Sequence, residues 1–205
     1  MALVPGTITA SLLLGFIPTM TDGSFSSTVA TAVNTYCGTG QITAATMEGT
    51  VSAGDFSGSG SGSVIVAIDS ADIETVCENM KLDPKETGCW DPDEGETGND
   101  YLAKKLAEII DDAVTNGDFT ILISGSAVAG QVTTTFTNVP TTDVEWKGDP
   151  DTLETSLKAA MIPTMTDATF AAAIDAAVTT YLTSATITVN GESALAGATG
   201  DGVMA

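Results

Sequence analysis

A six-residue string occurs twice in this chain. Ile17-Pro18-Thr19-Met20-Thr21-Asp22 returns letter for letter as Ile162-Pro163-Thr164-Met165-Thr166-Asp167. The same spacing, without a gap, aligns Pro5 with Pro150, Leu12 with Leu157, Phe25 with Phe170, Val33 with Val178, Tyr36 with Tyr181 and Ile42 with Ile187. Self-similarity at a fixed interval marks a repeated supersecondary unit. The chain must therefore fold in a way that uses one small motif at both ends. Each copy reads as a short helix opened by proline (Pro5; Asp149-Pro150), a break at Ile-Pro, and a second helix capped at Thr21-Asp22 or Thr166-Asp167. Apolar residues at Phe25, Val29, Ala32, Val33 and Tyr36, and at Phe170, Ile174, Ala177, Val178 and Tyr181, fall on one helical face. Thr-rich, β-branched stretches follow at 41–52 and 185–190, where strands are expected.

A degenerate third unit lies between the copies. Leu102, Leu106, Ile109, Ile110 and Ala113 mark its helix, and 119–124 with 128–137 form an expected hairpin around Gly125. All three units pass an Ala-Gly step: Ala53-Gly54, Ala129-Gly130 and Ala196-Gly197. The Gly/Ser run at 57–63 reads as a flexible linker. The expected fold is α+β, with duplicated helix-helix-strand-strand units whose antiparallel hairpins pack on helices. Its segments are 1–68 (first unit), 69–149 (acidic connector with the degenerate unit) and 150–205 (second unit).

Charge follows the same division. Of 205 residues, 27 are acidic and 6 basic, giving a net charge of -21. Residues 1–68 hold three acids and no base, whereas 69–118 hold fifteen acids and four lysines. The outer units are thus nearly neutral, which is unusual for a surface bathed in water. They are expected to be partly covered by other subunits.

Composition also narrows the chemistry. There is no histidine, and all six basic residues are lysines. That removes imidazole bases and ligands, Ser/His and Cys/His pairs, and guanidinium forks for phosphate. Nucleic-acid binding is not expected, because six lysines among 27 acids make no basic stripe. The apolar run at 12–17 stops at Pro18, too short for a membrane span, and no basic residue precedes it, so no signal peptide is expected. Ser124 and Ser126 lack a base, and Gly58, Gly60 and Gly62 follow no phosphate-loop spacing. Neither catalytic residues nor a cofactor are expected. Asp111, Asp112, Asp143 and Glu145 read as solvated carboxylates.

Two features leave alternatives open. The acidic loop before the third helix, with Asp91, Asp93 and Glu96, has oxygen ligands of the type a hard cation takes, yet departs from the EF-hand pattern. Its other reading is a solvated loop with Asp100 capping the helix. Cys77 and Cys89 bracket 81–88 and are open to a loop disulfide or to two free thiols; with Cys37 the count is odd, so at least one thiol is unpaired within the chain.

The helix 170–182 running into Ala185-Thr186-Ile187-Thr188-Val189-Asn190-Gly191, and its partner 25–36 running into Ile42-Thr43, resemble virion structural proteins of tailed bacteriophages. The resemblance is one of style, carries over no functional residue, and implies assembly into a capsid or tail without enzymatic activity. Partners would be other virion proteins and copies of the same chain, with no nucleic acid and no membrane. A chain at -21 is repelled by packaged DNA, so the expected place is the outside of the particle, as capsid decoration or as a tail, neck or baseplate component, after synthesis in the host cytoplasm. Two other classes share the acidity: a secreted or cell-surface structural protein, and an acidic DNA mimic.

Overall fold

The computed structural model describes residues 3–15, 20–82, 95–161 and 166–205. Among them the chain runs α1 (Thr7–Gly15), α2 (Asp22–Thr39), β1 (Ile42–Val51), β2 (Gly54–Ile65), α3 (Ser70–Asn79), α4 (Gly98–Thr115), β3 (Asp118–Ala129), β4 (Val132–Thr141), β5 (Val144–Lys147), α5 (Pro150–Ala160), α6 (Asp167–Ser184), β6 (Thr186–Asn190) and β7 (Ala198–Met204). The class is α+β, with one wholly antiparallel seven-stranded sheet in the order β4-β3-β2-β1-β7-β6-β5.

The long helices have a common local cause. α2, α4 and α6 are each 18 residues long and begin after a threonine, Thr21, Thr97 or Thr166. In all three the threonine side chain accepts from the N3 backbone amide while the N3 side chain (Ser24, Asp100 or Thr169) accepts from the threonine amide. This reciprocal box satisfies two donors that a helix start leaves orphaned. Asp100 is therefore the third helical residue, and Thr97 is the cap where the sequence had pointed to Asp100. The hydrogen bonds from Thr97 hold the Asp100 carboxyl below the usual carboxylate range.

Each long helix feeds a hairpin whose turn glycine has a left-handed backbone: Gly54 at φ 119°, Gly130 at 63° and Gly197 at 101°. These are the glycines of the three Ala-Gly steps, and such backbone is open to glycine at little cost. The middle hairpin accordingly turns at Gly130. Gly125, expected at the turn, lies mid-strand opposite Gly58 on one side and Phe136 on the other. The expected linker at 57–63 is also corrected: these residues form the centre of β2, paired along its length with both β1 and β3. Gly58, Gly60 and Gly62 point to the core and the serines point out, a period of two that low complexity conceals. Helix α3 and strand β5 had no counterpart in the sequence reading.

Connectivity forces the sheet to roll. Seven flat strands would set the two margins about 29 Å apart. Yet the marginal strands β4 and β5 are joined by Thr142 and Asp143 alone, a link of about 10 Å. The margins meet where Thr141 Oγ1 donates to the Asn190 carbonyl at 2.6 Å and Asn190 N donates to the Asp143 carbonyl at 2.9 Å. The helices form a second layer in which each packs against the next and α6 returns to α1. Side chains from the inner sheet face (Ile42, Met47, Phe56, Ile121, Ile187) and from the helices (Tyr36, Leu106, Ile110, Ile174, Tyr181) make one continuous core.

Candidate functional site

The outward face of the sheet is the surface least explained by the fold. Alternation along β2 puts Asp55, Ser57, Ser59, Ser61, Ser63 and Ile65 outside, all exposed. One lateral row crosses five strands through Pro140, Leu122, Ser61, Thr43 and Val203 without a charge. Four of the large apolar side chains left in solvent, Ile65, Leu122, Val128 and Val203, belong to this face, and Ile65 is 67% exposed. Single apolar residues on a surface are ordinary; here Leu122 and Val203 belong to the uncharged row, while Ile65 lies beside Asp118 and Val128 beside Asp55 at the two ends of the β2–β3 ladder. Charged residues lie to either side of that row: Asp55, Asp118, Glu48 and Asp201, with Glu145 and Lys147 on β5.

The helical layer carries the acids. An open groove of about 630 Å³ between α3 and α4 has Asp69, Asp72, Glu108 and Asp112 among its walls and Val76, Ile109 and Tyr101 as its apolar part. Lys105 is tied to Glu108 at 2.6 Å. The sheet face thus has an uncharged central row between its charged residues, while the α3–α4 groove on the helical side is walled by acids.

Polar groups inside the protein join the units. Asp175, buried on α6, accepts from Gly6 N at 3.0 Å and Thr9 N at 2.8 Å, so it caps α1 from the far copy. Asn34 on α2 clamps both backbone groups of Ile68, at 2.8 and 3.2 Å, where the chain leaves β2. Tyr36 and Thr179 share a hydroxyl bond of 2.7 Å between α2 and α6. Trp146 Nε1 donates to the Tyr181 hydroxyl at 3.1 Å, and that hydroxyl donates to Asp111 Oδ1 at 2.5 Å. Asp111, expected as a solvated carboxylate, is a half-buried partner of this chain, whereas Asp112 is exposed.

Burial, and then the bond to Asp111, raises the Tyr181 phenol above its ordinary 10.0. A group whose folded pKa is raised stabilises the fold below its unfolded value, and that contribution fades as pH climbs past it. Stability is therefore expected to fall as pH rises beyond about 10. Tyr181→Phe should remove part of that alkaline slope while costing about 1–2 kcal/mol at neutral pH. Urea unfolding at pH 7 and at pH above 10 checks both; an unchanged slope would discard the assignment.

Of the other sequence candidates, Asp91 and Asp93 lie outside the described residues, and so does Cys89. Glu96 is half-buried one residue before the α4 cap. Among the described residues no group of three His, Cys, Asp or Glu side chains is placed to hold a metal ion. Asp143 accepts from Asn190 Nδ2 at 3.2 Å, and Glu145 pairs with Lys147 at 2.8 Å. Cys77 is a free thiol. Cys37 is fully buried, which pushes its thiol up to about 12. A disulfide reagent at pH 8 should therefore leave Cys37 unmodified until the protein unfolds; labelling of native Cys37 on the timescale of a free thiol would contradict its burial.

Comparison with known proteins returns no matching family model, no matching curated protein and no matching solved structure. The functional reading therefore rests on the surface itself. No helix of the described residues is long and apolar enough to cross a membrane.

Proposed function

We infer that this chain is a non-enzymatic structural subunit of a tailed-phage virion, mounted on the outside of the particle as capsid decoration or as part of the tail, neck or baseplate. The observation that carries the reading is the uncharged row across the outward sheet face, Pro140, Leu122, Ser61, Thr43 and Val203, in a chain of net charge -21, with Leu122 and Val203 exposed in it. Contact surfaces lose charged residues at their centre and keep polar ones at the rim. The acids on the helical side then face solvent, and DNA inside the particle would repel such a charge. Neighbouring virion proteins or further copies of the chain would cover the face.

Mass spectrometry of purified particles tests this directly, with the chain expected as a stoichiometric component. Leu122→Lys should leave the fold and its melting temperature nearly unchanged, since the side chain is outward, and should remove the chain from particles. Particles without the wild-type chain, or normal incorporation of the Leu122→Lys form, would set the proposal aside.

A further inference from the structure

We propose that the flank of β4 that no described strand pairs with is a strand-addition site for a second copy of this chain, joining two sheets across a two-fold axis. The inference deepens the assembly reading above and rests on it for its biological setting. The second strands of the three hairpins are β2, β4 and β7. β2 lies between β1 and β3, and β7 lies between β1 and β6, so each is paired on both flanks. Among the described residues β4 is paired with β3 alone, and the Thr141–Asn190 bond joins its end to β6. The cause is local: β6 ends at Asn190 and the chain turns into a 3-10 segment at Ser193–Leu195, whereas β1 and β3, the corresponding first strands, run 10 and 12 residues.

The two-residue loop Gly130–Gln131 makes Ala129 and Val132 the hydrogen-bonded pair at the end of the hairpin. Alternation along an antiparallel ladder then aims the amides and carbonyls of Thr133 and Thr135 away from β3. Natural edges are guarded by charge, proline, bulges or shortness. β5, at the opposite margin, has four residues including the ion-paired Glu145 and Lys147. β4 has ten residues and no charge; its irregularity and Pro140 lie toward its far end, leaving 132–137 unguarded, with Val132 65% exposed.

Two observations single out a second copy as the occupant. Two chains of net charge -21 meet at least electrostatic cost where charge is missing, and β4 is such a seam. In an antiparallel sheet with an odd number of strands both margins run the same way. A β4 strand set on the β5 margin of another copy would thus be parallel, while a two-fold axis sets β4 antiparallel to its mate and continues the sheet's own pattern.

Light scattering on a sizing column tests the pair, using the whole chain at up to roughly 100 µM, where a micromolar complex is formed. The expected mass is twice the chain's 20.7 kDa. Thr135→Pro removes an amide that β3 does not use, so the variant should keep the wild-type circular dichroism and melting profile and return to 20.7 kDa. Thr133→Lys should act the same way, while Leu122→Lys on the outward face should leave the dimer intact. Amide exchange at Thr133 and Thr135 in the wild type should slow as concentration rises. Monomer mass at every concentration overturns the proposal, as does a dimer indifferent to both β4 variants, or protection of β4 that needs a different virion protein. A β4-dependent dimer of a chain absent from particles would support this edge and overturn the virion reading, so the two fail separately.

Discussion

Asp175→Ala is expected to lower the stability of the folded chain by about 3 kcal/mol, a loss out of proportion to one carboxylate in a protein with 27 acidic residues. The reason lies in what Asp175 replaces. The repeat interval that pairs Pro5 with Pro150 also pairs Val4 with Asp149. Asp149 caps its own helix α5 through the Thr152 amide at 3.3 Å and the Thr152 hydroxyl at 2.5 Å. Val4 has no side-chain acceptor, and α1 takes its cap from Asp175 on α6 instead, through the Gly6 and Thr9 amides. Ala30 occupies the place in α2 that Asp175 holds in α6, so the first copy offers no substitute. Both bonds are charge-assisted, sit at the positive end of α1 and end on a carboxylate that is itself buried. Losing them leaves two part-buried amides without this acceptor and loosens the seam on which α1 and α6 pack.

For a chain of this size the same change is about 6–12 °C in melting temperature. Asp175→Asn should fall between wild type and Ala, because the amide keeps one acceptor and turns an NH2 toward the other donor. Asp149→Ala, at an exposed cap, should cost about 1 kcal/mol. Urea midpoints of the three variants give the order, and an Asp175→Ala variant as stable as Asp149→Ala would show that the far-copy cap contributes nothing special.

That cap also shows where sequence reading stops. The starts of α2 and α6 were legible at Thr21-Asp22 and Thr166-Asp167 because a cap and the apolar face behind it lie within one helix, although their N3 partners Ser24 and Thr169 were not read. A role like that of Asp175 is invisible in the sequence, since its partners lie 169 and 166 positions away and only the packing of α1 on α6 joins them. Strand β5 was missed for a similar reason: four residues acquire strand geometry by pairing with β6, not by any pattern of their own. The candidate surface was half legible. Regional counts of acids divided charge by chain segment, whereas the uncharged row draws Leu122 and Pro140 from the segment 69–149 and is assembled by the register that aligns them with Ser61, Thr43 and Val203.

The sharpest failure was β2, and it sets up an experiment in which even the sign is informative. In a flexible linker, Gly58→Ala would be neutral or would stabilise by about 0.4–1 kcal/mol, by narrowing the unfolded ensemble. In the strand a Cβ at Gly58 would stand 2.4 Å from the Ser124 carbonyl oxygen and 2.5 Å from Cζ of Phe56. Gly125, directly across the ladder, is crowded by the same ring, at 2.7 Å. The Phe56 side chain thus lies over two facing glycines and meets Phe136 edge-on at 5.9 Å, filling core volume that β2 itself does not supply. Gly58→Ala must therefore displace the ring or part β2 from β3, at about 3 kcal/mol. Ser59→Val, one residue on and pointing outward, should stay within about 0.5 kcal/mol of wild type. Phe56→Ala should cost about 3–5 kcal/mol alone, and the double variant less than the sum, because the ring that Gly58→Ala collides with is gone. Thermal and urea unfolding of the four proteins decide it: a stabilised Gly58→Ala form, or strict additivity with Phe56→Ala, would contradict the packing of this ring over the paired glycines.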